Sequence, residues 1–183
     1  PWVYIYIGAF LGILSLPVIW FSLYEYQKQR VLTLFNPEAD IYGAGWNIVQ
    51  SKIAVGSGGL FGKGFLNGSQ SQLNFIPESH SDFIFSVIAE EFGLVGVCML
   101  LFVYGILIFR LLLVAFRSSN RFAKIVSGTL SIVLLAYISI NISMVIGILP
   151  VVGMPLPFLS QGGTALIVNL LTIGIILSLR KEV

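Results

Sequence analysis

Residues 74–88, NFIPESHSDFIFSVI, decide how this chain folds. They place Glu78, His80 and Asp82 within five residues, and His80 is the only histidine of the 183-residue chain. A long apolar run begins directly afterwards, at Phe83. A carboxylate close to lipid must either keep access to water or be neutralised by partners. We therefore predict that this polar cluster lies at the mouth of a hydrophobic helix.

The composition around this stretch is that of an integral membrane protein. Hydrophobic residues make up 57% of the chain and charged residues 10%, whereas a soluble domain carries about a quarter charged residues. The net charge of +2 is too small to indicate a nucleic-acid partner. The single Cys98 cannot form an internal disulfide, the sequence shows no metal-ligand spacing, and we interpret this thiol as buried and inert.

The apolar runs predict an all-α, polytopic membrane protein with four transmembrane helices, at about residues 2–24, 83–116, 125–149 and 164–179. A straight helix over 83–116 would be about 50 Å long, so it must tilt or project from a hydrocarbon layer of about 30 Å. Residues 31–81 form a large loop between the first two spans, with a short helix near Trp46 at the membrane surface. We expect residues 1–183 to be one membrane domain, the C-terminal fragment of a longer protein.

Basic residues predict which side of the membrane each loop faces. Two groups carry them, one between the second and third spans and one at the end of the chain: Arg110, Arg117, Arg121 and Lys124, then Arg180 and Lys181. The positive-inside rule places both groups in the cytoplasm. The loop 31–81 and the Pro- and Gly-rich loop 150–163 are then extracytoplasmic.

The glycine-rich segment 55–68, VGSGGLFGKGFLNG, allows two interpretations. It is not a nucleotide-binding P-loop, because Lys63 is followed by Gly64 rather than by Ser or Thr. One interpretation is a flexible re-entrant loop. The other is an anion-binding surface, formed by exposed backbone N–H groups and Lys63, that would suit a diphosphate.

Each polar residue near or within the spans also has a structural interpretation. Ser79 and Asp82 have the spacing of a capping box at the start of a helix, which would explain one acid but not the whole cluster. Glu90 and Glu91 are either functional intramembrane acids or partners of a basic residue from helices outside this chain. We interpret two asparagines, Asn141 and Asn169, as helix-to-helix hydrogen bonds.

Four long stretches carry a resemblance to a known family: RVLTLFNPEAD, GAGWNIVQSKIAVGSGGLFGKGF, QSQLNFIPESHSDFIFSVIAEEFGLVG and ILPVVGMPLPFLSQGG. They resemble the C-terminal half of the shape, elongation, division and sporulation family, and its RodA branch more than its FtsW branch. The resemblance covers essentially the whole chain. It implies ten transmembrane helices, of which this chain would supply the last four.

The resemblance also implies an activity. Members of this family are peptidoglycan glycosyltransferases that polymerise lipid II, an undecaprenyl-diphosphate-linked disaccharide pentapeptide. They act on the outer face of the bacterial cytoplasmic (inner) membrane. Their partners are a class B penicillin-binding protein, which is the transpeptidase, and other membrane proteins of the elongation complex. By itself, the fragment is expected to be inactive.

The family motif at residues 77–83 makes Asp82 the expected catalytic residue, acting as general base on the acceptor hydroxyl. A divalent cation, Mg²⁺ or Mn²⁺, is an expected helper at the diphosphate. We predict further substrate contacts from six residues: Lys63, Glu78, His80, Ser160, Gly162 and Gly163. The chain departs from the family at Gln161, where a tyrosine is usual, which puts any contact from that tyrosine in doubt.

Two other functions remain open at this point. A transporter that flips the lipid-linked precursor predicts polar groups along a path through the membrane, such as Glu90, Asn141 and Asn169. A non-catalytic scaffold for the transpeptidase predicts that Asp82 is dispensable and that the apolar helix faces matter.

Overall fold

The computed structural model describes residues 2–37, 43–73, 75 and 80–180. Within these residues all the regular structure is helical, as predicted. The seven helices are α1 (Trp2–Ser22), α2 (Glu25–Phe35), α3 (Ala44–Ser57), α4 (Ser69–Gln72), α5 (Ile84–Arg117), α6 (Arg121–Val145) and α7 (Gly163–Leu179).

Three helices are long and apolar enough to cross a membrane: Val3–Ser22, Ile84–Arg117 and Arg121–Val145. The helix Gly163–Leu179 is apolar but shorter, so the fourth predicted span stays a prediction. The apolar window of α1 is 0% buried in the part of the chain that the structure describes. This leaves the side chains of α1 available to lipid or to other protein segments.

The core lies where α5, α6 and α7 pack together. Its buried cluster includes Tyr104 and Ile108 of α5 and Ile138 of α6. Ile176 of α7 and Leu156 of the α6–α7 loop also belong to it. α3 packs against α5 and α6 at one end of this bundle. The α6–α7 loop is therefore part of the packed structure.

Two helix boundaries differ from the sequence prediction for local reasons. α6 begins at Arg121 instead of 125 because the Asn120 side chain caps it, accepting a 2.9 Å hydrogen bond from the Phe122 N–H. It ends at Val145 because the chain turns at Gly147, whose φ of +72° favours glycine. α2 was not predicted, since its charged first turn was interpreted as the end of the first span.

α5 is interrupted at Gly93, where φ is +65° and ψ −161°. The stretch is therefore not one straight helix of about 50 Å, the premise from which the sequence predicted that it must tilt or project. Residues 94–117 form a piece about 36 Å long, which suits a hydrocarbon layer of about 30 Å. Residues 84–92 form a separate short piece that carries Glu90 and Glu91.

The glycine-rich segment docks on this interruption through backbone hydrogen bonds. The N–H groups of Lys63 and Gly64 donate to the carbonyls of Glu90 and Glu91, each at 3.0 Å. In return, the N–H group of Leu94 donates to the Gly59 carbonyl at 2.9 Å. The N–H groups of Lys63 and Gly64 are therefore engaged by α5, which removes these two from the anion-binding surface that the sequence allowed as one of two interpretations.

The prediction that Cys98 is buried is also wrong. Cys98 is exposed on the surface of α5. In a helix that crosses a membrane, an apolar position can face lipid as well as the core, and sequence polarity does not separate the two.

Candidate functional site

Residues 80–83 lead into α5 and carry the predicted catalytic carboxylate. Phe83 occupies the N-cap position and its side chain is only 1% exposed. Asp82 is half-buried and His80 is exposed, so the segment runs from solvent into the core within four residues. Phe83 and not Asp82 is the N-cap residue of α5, and no side chain caps this helix, while Ser79 lies outside the described residues.

Three successive carbonyls of this segment accept hydrogen bonds from α6 and from the α6–α7 loop. The Gln161 N–H donates to the His80 carbonyl at 2.9 Å. The Ser160 hydroxyl donates to the Ser81 carbonyl at 2.6 Å. The Asn141 side-chain amide donates to the Asp82 carbonyl at 2.8 Å. We call these three bonds the backbone clamp.

Asn141 and Ser160 each make a second hydrogen bond inside the α6–α7 loop. Asn141 Nδ2 also donates to the Met154 carbonyl at 2.6 Å. Ser160 Oγ also accepts from the Leu156 N–H at 2.6 Å. The interpretation of Asn141 as a helix-to-helix bond is therefore wrong, since both of its partners are carbonyls outside the helices.

The α6–α7 loop approaches the Asp82 side chain as well as its backbone. A Cβ atom placed on Gly153 would lie 3.3 Å from Asp82 Oδ2, and Gly153 has a φ of +78°. The same loop is held to α5 by the Tyr104 hydroxyl, which donates to the Pro157 carbonyl at 2.6 Å. The part of the α6–α7 loop that lies beside the Asp82 carboxylate is thus anchored to the helix bundle.

Glu90 is fully buried and pairs with a cation of this chain. Lys63 Nζ lies 2.7 Å from Glu90 Oε1. The Ser69 hydroxyl and the Gln70 N–H also donate to Glu90, at 3.1 and 3.0 Å. The interpretation that required a basic residue from outside this chain is therefore wrong for Glu90. Glu91 is also buried, at 5% exposure, on the same short piece of α5.

The predicted site residues thus separate into two places. His80, Asp82 and Ser160 come together at the backbone clamp, next to Gly162 and Gly163, which lie at the start of α7. Lys63 lies at Glu90, about two helical turns further along α5. Its role as a substrate contact stays a prediction, and Glu78 lies outside the described residues.

A cavity of about 430 Å³ lies between α6 and α7, bordered by Pro155 of the α6–α7 loop. Its lining is mainly apolar, with Thr164, Asn169 and Thr172 as polar exceptions on α7. Sequence reasoning missed this cavity and also missed Gly153. Only the Pro- and Gly-rich composition of the loop signalled a tight backbone approach.

Comparisons with known proteins give one consistent family. The FtsW/RodA/SpoVE family model, described as "Cell cycle protein", matches residues 1–183. The peptidoglycan glycosyltransferase MrdB of Escherichia coli K12 is 52% identical over 182 residues, which are 99% of this chain and 49% of MrdB. The peptidoglycan glycosyltransferase RodA of Treponema pallidum is 39% identical over 161 residues, 87% of this chain and 37% of that protein.

Two solved structures have a similar fold. A chain from a peptidoglycan synthase complex, studied for the structural coordination of polymerization and crosslinking, has a TM-score of 0.79 and 30% identity. The match covers 100% of this chain and 50% of that one. A mutant of the Thermus thermophilus Rod shape determining protein RodA has a TM-score of 0.56 and 27% identity, covering 95% and 56%. The chain spans between about a third and a half of the length of these curated relatives.

Proposed function

This chain belongs to the FtsW/RodA/SpoVE family of cell cycle proteins, and on that premise we propose that it is part of a peptidoglycan glycosyltransferase. The reaction is the polymerisation of lipid II into glycan strands during cell elongation. The names of the relatives support this activity, since MrdB and RodA are both peptidoglycan glycosyltransferases. The family and the three apolar helices make the whole protein a multi-pass protein of the bacterial inner membrane.

Asp82 is the general base of this proposal. Its carboxylate takes the proton from the 4-hydroxyl of the acceptor sugar, and the hydroxyl oxygen attacks the anomeric carbon of the donor. The bond from that carbon to the lipid diphosphate breaks, and the diphosphate leaves with the electron pair. The observation that carries this assignment is the position of Asp82, half-buried directly before the first, short piece of α5 and held there by the backbone clamp.

The surroundings of Asp82 suit a lipid-linked substrate. The mainly apolar cavity between α6 and α7 adjoins the loop that lies beside Asp82, so a lipid chain has an apolar surface close to the base. Among the described residues no three His, Cys, Asp or Glu side chains come together. A divalent cation, Mg²⁺ or Mn²⁺, would then be held mainly by the diphosphate oxygens, and no step of the proposed reaction depends on it.

The transporter and the scaffold have less support. A flipping path would need polar groups available to the substrate. Glu90 is tied to Lys63 and Asn141 to two carbonyls, so of the three predicted path residues only Asn169 lines a cavity. A scaffold gives no reason to hold the backbone of a carboxylate residue so firmly.

We place the Asp82 loop on the extracytoplasmic face, as the positive-inside rule predicts. A class B penicillin-binding protein is the proposed partner, in keeping with the polymerization and crosslinking complex that the chain resembles.

The test is Asp82→Asn in the full-length protein, assayed with purified lipid II. Removing a general base lowers the rate by about 10²- to 10⁴-fold, so we expect polymer formation to be lost while the thermal unfolding temperature is unchanged. Glu25→Gln is the matched control, because Glu25 is an exposed carboxylate whose partner is Lys28. Normal polymer from Asp82→Asn would refute the role of Asp82. If the wild-type protein in liposomes flips lipid II but forms no polymer, the transporter is favoured.

A further inference from the structure

We infer that Asn141 and Ser160 are positioning residues, which set the direction of the Asp82 carboxylate by holding its backbone. The inference uses the proposed function for its kinetic test but rests on the backbone clamp itself. It differs from the prediction that Ser160 contacts substrate. It also gives Asn141, which no motif singled out, a part in the site.

The hydrogen-bonding chemistry of Asn141 permits only one arrangement. Its amide has two N–H donors, and they go to the Asp82 and Met154 carbonyls. Rotating the amide by half a turn would place Oδ1 against two carbonyl oxygens, so only the orientation with Nδ2 facing them forms these bonds. Asn141 is 0% exposed, which keeps water from replacing these bonds. An aspartate has the same size but offers acceptors in place of both donors.

Ser160 joins the inner turn of the α6–α7 loop to the Asp82 segment. Its oxygen accepts from the Leu156 N–H and its single proton goes to the Ser81 carbonyl. With that proton engaged, the hydroxyl has no donor left for a substrate oxygen. Its contribution to the site is therefore to couple the two segments.

Together these bonds leave Asp82 little freedom apart from its side-chain torsions. The carbonyls of residues 81 and 82 are fixed by Ser160 and Asn141, and the next side chain, Phe83, is anchored in the core. The backbone of Gly153 limits the space at Oδ2. A general base works only within hydrogen-bond reach of its proton, and a displacement of about 1 Å can lower the rate about 10²-fold.

The experiment uses four variants of the full-length protein with lipid II as substrate. Asn141→Asp removes both amide donors, and Asn120→Asp, at the other end of α6, is its control because an aspartate also caps a helix. Ser160→Ala removes the hydroxyl, and Ser160→Thr restores it. Ser127→Ala serves as the control for a buried serine, since its hydroxyl bonds only within α6. The measurements are kcat, KM for lipid II, the unfolding temperature and amide hydrogen exchange of residues 154–162.

We expect kcat to fall about tenfold in Ser160→Ala and about 10²-fold in Asn141→Asp, with KM within about twofold of the wild type. Ser160→Thr should recover most of kcat, and both controls should keep it. An increased KM with an unchanged kcat would overturn the inference and make Ser160 a substrate contact. Unchanged kcat in both variants would also overturn it. If Asn141→Asp does not fold, the two Ser160 variants decide the question.

Hydrogen exchange separates this inference from the proposed function. Loss of the clamp should make the Leu156 and Gln161 amides exchange faster in Ser160→Ala, whatever reaction the protein catalyses. Unchanged exchange there would overturn the inference even if Asp82 is the base. If Asp82→Asn polymerises normally while exchange rises as expected, the assignment of Asp82 as general base fails and the clamp remains.

Discussion

The replacement of two neighbouring glycines by alanine tests how the glycine-rich segment docks on α5. Gly56 lies in α3 with nothing within 4 Å of an added Cβ, whereas a Cβ on Gly58 would lie 1.9 Å from the Ala89 carbonyl oxygen. Gly58 has a φ of −69° and a ψ of −25°, so alanine is not strained by its backbone conformation. The two substitutions add the same methyl group two residues apart, within the last turn of α3 and at its C-cap, and they meet different surroundings.

The expected magnitudes follow from these surroundings. Alanine at an open helical position stabilises by about 0.5–1 kcal/mol, so Gly56→Ala should raise the free energy of unfolding slightly. At Gly58 the segment must move away from α5 by about 1 Å, and overpacking of this kind costs about 1–3 kcal/mol. The same movement stretches the 3.0 Å bonds from Lys63 and Gly64 to α5, each worth about 1 kcal/mol. We expect Gly58→Ala to lower the free energy of unfolding by about 3–5 kcal/mol.

Both variants of the full-length protein should be unfolded reversibly in mixed micelles with increasing SDS, with the wild type alongside. The quantity compared is the difference in unfolding free energy between Gly58→Ala and Gly56→Ala, which cancels the effect of the added methyl group on the unfolded chain. A difference of less than about 1 kcal/mol would refute the backbone docking.

Two further predictions use the same unfolding measurement. Lys63→Met leaves the buried Glu90 carboxylate without its cation and should lower the free energy of unfolding by about 3–5 kcal/mol. Adding Glu90→Gln in a double variant should restore part of this loss. An unchanged free energy of unfolding in Lys63→Met would contradict the ion pair. Tyr104→Phe removes the donor to the Pro157 carbonyl and should lower the free energy of unfolding by about 1 kcal/mol. Tyr6→Phe, at an exposed residue, should leave it unchanged. Equal effects of the two substitutions would argue against the bond.

The apolar runs predicted most helices because burial from water dominates their formation. The helix predicted at 83–116 is observed as Ile84–Arg117, and that at 164–179 as Gly163–Leu179. The interruption at Gly93 could not be predicted, since a glycine within an apolar run is common in membrane helices. What makes Gly93 different is the approach of the Gly62 backbone, which is distant in sequence.

For the polar residues too, the sequence predicted what depends on neighbouring residues and not what depends on residues distant in sequence. Asp82 was placed at a helix mouth because its neighbours change from polar to apolar there. The partners of Glu90 and Asn141 were not predicted, because Lys63 precedes Glu90 by 27 residues and Asp82 precedes Asn141 by 59. Hydrogen-bond partners this far apart depend on how the helices pack, which periodicity does not encode.

The backbone clamp also has a consequence for biosynthesis. Ser81 and Ser160 are separated by 79 residues, so the ribosome makes the proposed base well before the loop that holds it. At about 5–20 residues per second, the delay is roughly 4–16 s, and insertion of α6 and α7 must follow. A nascent chain that ends between residues 82 and 140 would carry Asp82 without any of the three bonds of the clamp.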